Sequence, residues 1–133
     1  MKNNLTYIID DDKLTIKLMS ILIAKNEFCK ETQSFYNAEL AIAMLKNSTK
    51  MATMLPDVIL LDLNMPVMDG WQFLDEFAKL KLAKPIYIFI MTSSIDPADI
   101  EKATKYEFVQ EYIKKPITVK KLKSLCELIN NKN

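Results

Sequence analysis

The stretch PDVILLDLNMPVMDGW, residues 56–71, holds the key to the fold. A solid apolar run, Val58-Ile59-Leu60-Leu61, ends on the carboxylate of Asp62, and a short turn-like segment then leads to Gly70. That glycine is the only one among 133 residues. A run of four apolar residues bounded by turn signals reads as a strand buried on both faces. An acidic residue at its carboxyl end stands where open α/β sheets keep their ligands. Gly70 is placed where a side chain would either clash or have to adopt positive φ.

Working outward, apolar runs alternate with segments of helical period. LTYII (5–9) reads as a strand ending at Asp10, and Leu14, Leu18, Ile21 and Leu22 then share one helix face. FCKETQSF (28–35) is half polar and reads as an edge strand; Ala38, Ala41, Ile42 and Leu45 mark the next helix. An irregular connection spans 46–56, and Phe73, Leu74, Phe77 and Leu80 mark a third helix after the 58–61 strand. IYIFIM (86–91) is a fourth strand, and Asp96-Pro97 opens a helix with a cap and a proline at its first position. EYIK (111–114) is a fifth strand, and Thr118 caps a last helix bearing Val119, Leu122, Leu125, Cys126 and Ile129. Five strand–helix units in strict alternation predict an α/β fold, a parallel sheet covered by helices on both faces.

Composition narrows the chemistry. The charge is balanced, 18 basic against 17 acidic residues, and no basic block marks a nucleic-acid surface. No apolar run approaches the roughly 20 residues of a membrane span, and no signal peptide is expected. The chain has no histidine, so Ser-His-Asp and Cys-His nucleophiles and the common zinc sites are excluded. One glycine cannot build a glycine-rich phosphate loop. The two cysteines, Cys29 and Cys126, read as reduced structural residues.

What remains collects at the strands' carboxyl ends: Asp10 and Asp11, Asp62, Thr92 and Ser93, and Lys115. Each has an ordinary reading as a solvated loop acid, a strand-end hydroxyl or a turn lysine, and Asp12 is well placed to be a helix cap. Together they form one rim. Three carboxylates in one pocket repel, and a divalent cation relieves them. With only oxygen ligands on offer, the donor set points to Mg2+ or Mn2+.

The sequence resembles the receiver domain of two-component response regulators over essentially its whole length. The resemblance is carried by IIDDD (8–12), DVILLDLNMPVMDGWQFL (57–74), IFIMTSS (88–94) and YIKKPI (112–117). It implies a doubly wound, flavodoxin-like (βα)5 sandwich with sheet order 2-1-3-4-5. The whole of residues 1–133 would be one receiver domain, with no output domain. Asp62 would be the phosphoacceptor. Asp10, Asp11, Asp62 and the backbone carbonyl of Asn64 would hold Mg2+. Lys115 would pair with Asp62 or a phosphoryl oxygen, Thr92 would bind the phosphorylated form, and Tyr112 would be the switch aromatic.

The resemblance also implies partners. A phosphohistidine donor must come from a sensor histidine kinase or a histidine phosphotransfer protein. Output is expected through the face formed by helix 4, strand 5 and helix 5, from a cytoplasmic monomer or weak homodimer. YEFVQE (106–111) departs from the small residues usual before strand 5. An interaction module acting without phosphorylation is the alternative. An aspartyl-phosphate enzyme is disfavoured, because Asn64 stands where such phosphatases carry a second acid.

Overall fold

The computed structural model describes residues 3–93 and 95–131. Five strands, β1 (Leu5–Ile9), β2 (Glu31–Phe35), β3 (Val58–Asp62), β4 (Tyr87–Thr92) and β5 (Val109–Lys114), alternate with five helices. These are α1 (Lys13–Lys25), α2 (Ala38–Asn47), α3 (Gly70–Ala78), α4 (Pro97–Ala103) and α5 (Val119–Asn130). All strands are parallel, in the order β2-β1-β3-β4-β5, as the resemblance implies. β3 lies at the centre and is buried at all five positions, which is why its sequence is continuously apolar.

Alternation along the strands divides the core in two. Tyr7, Ile9, Ile59, Leu61, Ile88 and Ile90 face α2 and α3, with Phe73, Leu74 and Phe77. Ile8, Val58, Leu60, Phe89 and Met91 face α1 and α5, with Leu122, Leu125 and Ile129. The half-buried Cys29 and Cys126 are free thiols packed against this second layer.

The expected caps are present. Asp12 accepts from the Leu14 N–H, Asp96 from Ala98 ahead of the Pro97 first turn, and Thr118 from Lys121. A reciprocal capping box joins Asp69 and Gln72 at the start of α3.

Two sequence expectations need correction, and the reason for Gly70 narrows to one of its two alternatives. Three of the four apolar residues read on α1 point outward: Leu14, Leu18 and Ile21 are 63%, 58% and 55% exposed, while Leu22 is half-buried and Ile16, Met19 and Ile23 face the core. β2 begins at Glu31, and Phe28 and Cys29 belong to the turn before it. Gly70 does not need positive φ. It is required by contact alone: a Cβ there would lie 2.8 Å from the Leu63 Cα and 2.9 Å from the Asp62 carbonyl oxygen. The positive φ in this loop falls on Val67 instead, at 69°.

Two of the three atoms that crowd this position are backbone and cannot rotate away; the third is the Leu63 Cδ2 at 2.8 Å. Gly70→Ala is therefore expected to cost about 2–3 kcal/mol in a urea unfolding titration, despite alanine's better helix propensity. An unchanged midpoint would show that α3 can move off β3 freely.

Candidate phosphoacceptor pocket

The carboxyl ends of the strands place the polar rim. Asp10 follows β1, Asp62 ends β3, Thr92 ends β4 and Lys115 follows β5. Parallel register brings these ends level: Asp62 pairs with Met91, and Thr92 with Lys114. The N–H of Lys115 donates to the Thr92 carbonyl at 2.6 Å, so the lysine leaves β5 directly beside β4.

Its ammonium then reaches back across the sheet. Lys115 Nζ lies 2.7 Å from Asp10 Oδ2 and 3.3 Å from Asp62 Oδ1. Asp10, Asp11 and Asp62 each present a carboxylate oxygen within 4.8 Å of the others. Asp10 and Asp62 are buried and Asp11 is exposed. Asp10 is held by the Asp12 N–H at 2.9 Å, and Asp62 by the Asn64 N–H at 3.3 Å.

Burial, then the neighbouring Asp10 charge, pushes the Asp62 carboxyl above its ordinary value, against the pull of Lys115 and the Asn64 N–H. Burial alone would lower Lys115, but its bond to Asp10 and the charges of Asp62 and Asp10 outweigh that and raise it. The ammonium is thus held charged. Three carboxylates against one ammonium leave a formal charge of −2, which a divalent cation would neutralise. The donor set is all oxygen, as Mg2+ and Mn2+ prefer.

Thr92 is buried at the end of β4. Tyr112, half-buried on β5 opposite Ile90, points to the same side of the sheet as Thr92. Its hydroxyl is buried without a well-formed hydrogen bond among the described residues, while lying close enough to Thr92 and Asp99 to feel both. Burial, and then the Asp99 carboxylate, holds the phenol above its ordinary value. The structure therefore brings together Asp10, Asp11, Asp62, Asn64 and Lys115, with Thr92 one strand away and Tyr112 behind it.

The model of the response regulator receiver domain family matches residues 6–127. The chain belongs to that family. A solved two-component response regulator from Cytophaga hutchinsonii is similar at 30% identity and a TM-score of 0.87, covering 99% of this chain and 100% of that one. The two-component response regulator ARR10 of Arabidopsis thaliana is 25% identical over 94% of this chain. The match covers only 21% of ARR10, so the receiver corresponds to about a fifth of that relative's length. The Mn2+-bound form of the response regulator Rcp1 shares the fold, at 23% identity and a TM-score of 0.73, covering 96% of this chain and 91% of that one.

Two features of the receiver went unread in its sequence. Asp57, at the opposite end of β3, is a buried acid outside the acidic pocket. It accepts from the Asn4 and Leu5 N–H groups at 2.8 and 3.3 Å and from Lys84 Nζ at 2.8 Å, fastening β1 to β3. Beside the pocket, a groove of about 320 Å3 runs between α1 and the β5–α5 loop, lined by Leu18, Leu22, Met91, Lys115, Pro116 and Ile117. The outward stripe of α1 borders it. Its signal was a helix apolar on two sides.

Proposed function

We propose that this receiver is a phosphorylation switch whose acceptor is Asp62. The observation that carries the reading is the Asp62 carboxylate, ending the central strand 3.3 Å from Lys115, with two further carboxylates within 4.8 Å. An Asp62 oxygen attacks the phosphorus of a partner's phosphohistidine. The P–N bond breaks as the new P–O bond forms, and the imidazole leaves with the electron pair. Lys115 stays protonated and turns from Asp62 Oδ1 to a phosphoryl oxygen. Asp10, Asp11, Asp62 and the Asn64 carbonyl would hold Mg2+. When bound, the metal neutralises charge on the transferred group.

The phosphoryl group adds about −1.5 to −2 charges beside Thr92, by analogy with other phosphorylated side chains. Thr92 then turns its hydroxyl to the new oxygens, and Tyr112 follows into the space left behind. Output passes through α4, β5 and α5 to a protein partner.

The donor must approach Asp62 from the rim, and the apolar stripe Leu14, Leu18 and Ile21 lies beside that approach. An apolar helix face on a histidine kinase or phosphotransfer protein fits it. A Leu14→Glu, Leu18→Glu double variant is expected to slow transfer from a phosphohistidine protein about tenfold or more. Its labelling by acetyl phosphate should stay unchanged. Equal rates from the protein donor would place docking elsewhere.

The direct test is intact mass after incubation with acetyl phosphate and Mg2+. One base-labile phosphoryl adduct that requires the metal supports the switch. No adduct, with Mg2+ binding shown separately and a phosphohistidine donor equally without effect, leaves the interaction-module reading.

A further inference from the structure

Among the described residues, helix α4 is buried at one end only. Of its seven residues, Ala103 alone is buried, at the last position. Its amino end carries exposed Asp96, Pro97 and Ala98, and the apolar Ile95 and Ile100 are 44% and 39% exposed. Between its carboxyl half and β5, Ile100, Ala103, Thr104, Val109 and Tyr112 line a cavity of about 210 Å3. A short helix with so little buried surface is held by whatever grips its carboxyl end.

That grip comes from α3. Lys102 Nζ sits 4.5 Å over the Trp71 ring, and Trp71 stacks on Tyr106 with centroids 6.2 Å apart. The Tyr106 hydroxyl donates to Asp75 Oδ1 at 2.7 Å. From Tyr106 the row continues to Phe108 at 5.8 Å and on to Phe77 at 4.8 Å, within the core. Burial, and then the bond to Asp75, push the Tyr106 phenol up to about 12, so it remains a donor at neutral pH. These aromatics include Tyr106 and Phe108 of YEFVQE, the segment where small residues are usual. The anchor is rigid at its base, because Trp71 follows Gly70, whose N–H donates to the Leu63 carbonyl at 2.9 Å.

We propose that Trp71, Asp75, Lys102 and Tyr106 form a strap that pins the carboxyl end of α4 to α3, so that phosphorylation swings the helix's amino end about this fixed point. The swing rests on the phosphoacceptor reading; the strap itself does not. The β4–α4 loop that follows Thr92 pulls on the free end. Recognition of the switched state then falls on the amino half of α4, where Asp96 and Asp99 lie, while residues 101–106 look alike in both states.

Amide hydrogen exchange on the full chain, with and without acetyl phosphate and Mg2+ and with intact mass reporting occupancy, tests this. In the natural protein, phosphorylation should change exchange at residues 95–100 and alter residues 101–106 less than about twofold. Tyr106→Ala should speed exchange at 101–106 about tenfold without phosphorylation and spread the phosphorylation-induced change along the whole helix. Tyr106→Phe keeps the ring and loses only the Asp75 bond; it should give about threefold, and it serves if the alanine variant does not fold. An adduct with equal change at both ends of α4 overturns the strap, as does unaltered exchange at 101–106 in both variants. An absent adduct removes the swing together with the phosphoacceptor reading.

Discussion

Asp62→Asn is expected to take up no phosphoryl group and, without metal, to be more stable than the natural chain. The first half follows from chemistry: an amide oxygen is a poor nucleophile, and no other carboxylate ends the central strand at the mouth of the pocket. The second half follows from the pocket's charge. Asp62 and Asp10 are both buried and share a single ammonium, which sits closer to Asp10, at 2.7 Å against 3.3 Å. Asp62 is the carboxylate that burial and its neighbour work against. Asparagine keeps an oxygen to accept from the Asn64 N–H and leaves Lys115 wholly to Asp10. The gain should be on the order of 1 kcal/mol, or roughly 3 °C in melting temperature. Added Mg2+ should stabilise the natural protein more than the variant and close the gap. Intact mass and thermal melts with and without Mg2+ check both halves. A persisting adduct would move the acceptor to Asp10 or Asp11. A loss of stability would mean that Asp62 is a net stabilising partner of Lys115.

The same pocket shows what a sequence can and cannot carry. Asp10, Asp62, Thr92 and Lys115 were legible because each stands at the end of an apolar run, and parallel strands must deliver their carboxyl ends to one rim. The caps Asp12, Asp96 and Thr118 were legible because capping is a local rule. The buried face of α1 was not. The helix carries Leu14, Leu18 and Ile21 on one side and Ile16, Met19 and Ile23 on another, and both sets satisfy the helical period. Only the entry angle of the helix onto the sheet decides between them. Asp57 was invisible for a similar reason: its three donors are brought to it by β1 and by the segment before β4, and nothing local announces them. The strap behind α4 depends equally on long-range contact. Tyr106 and Asp75 are 31 residues apart and meet only in the fold.

Lys115→Ala is the variant that separates holding the pocket together from transmitting its state. Removing the ammonium leaves Asp10 and Asp62 buried, mutually repelling and without a cation, a loss of about 3 kcal/mol when one partner of a buried pair is deleted. The formal charge falls to −3, so the three carboxylates should still bind Mg2+, and the metal should recover more stability here than in the natural chain. Phosphorylation by acetyl phosphate should persist, more slowly, because Lys115 stabilises charge on the transferred group without itself forming the bond. What should disappear is the response. Lys115 is hydrogen-bonded through its N–H to the Thr92 carbonyl and ion-paired through Nζ to the acids, and thus links Asp62 to the β4–β5 edge on which Tyr112 sits. Without its grip on the phosphoryl oxygens, the new charge has no means of drawing that edge inward. The expected result is a full adduct by mass with unaltered amide exchange at residues 95–100. A variant that carries the adduct and still changes exchange there would assign transmission to Thr92 alone. A natural-like melting temperature without metal would show that water, and not Lys115, offsets the two buried acids.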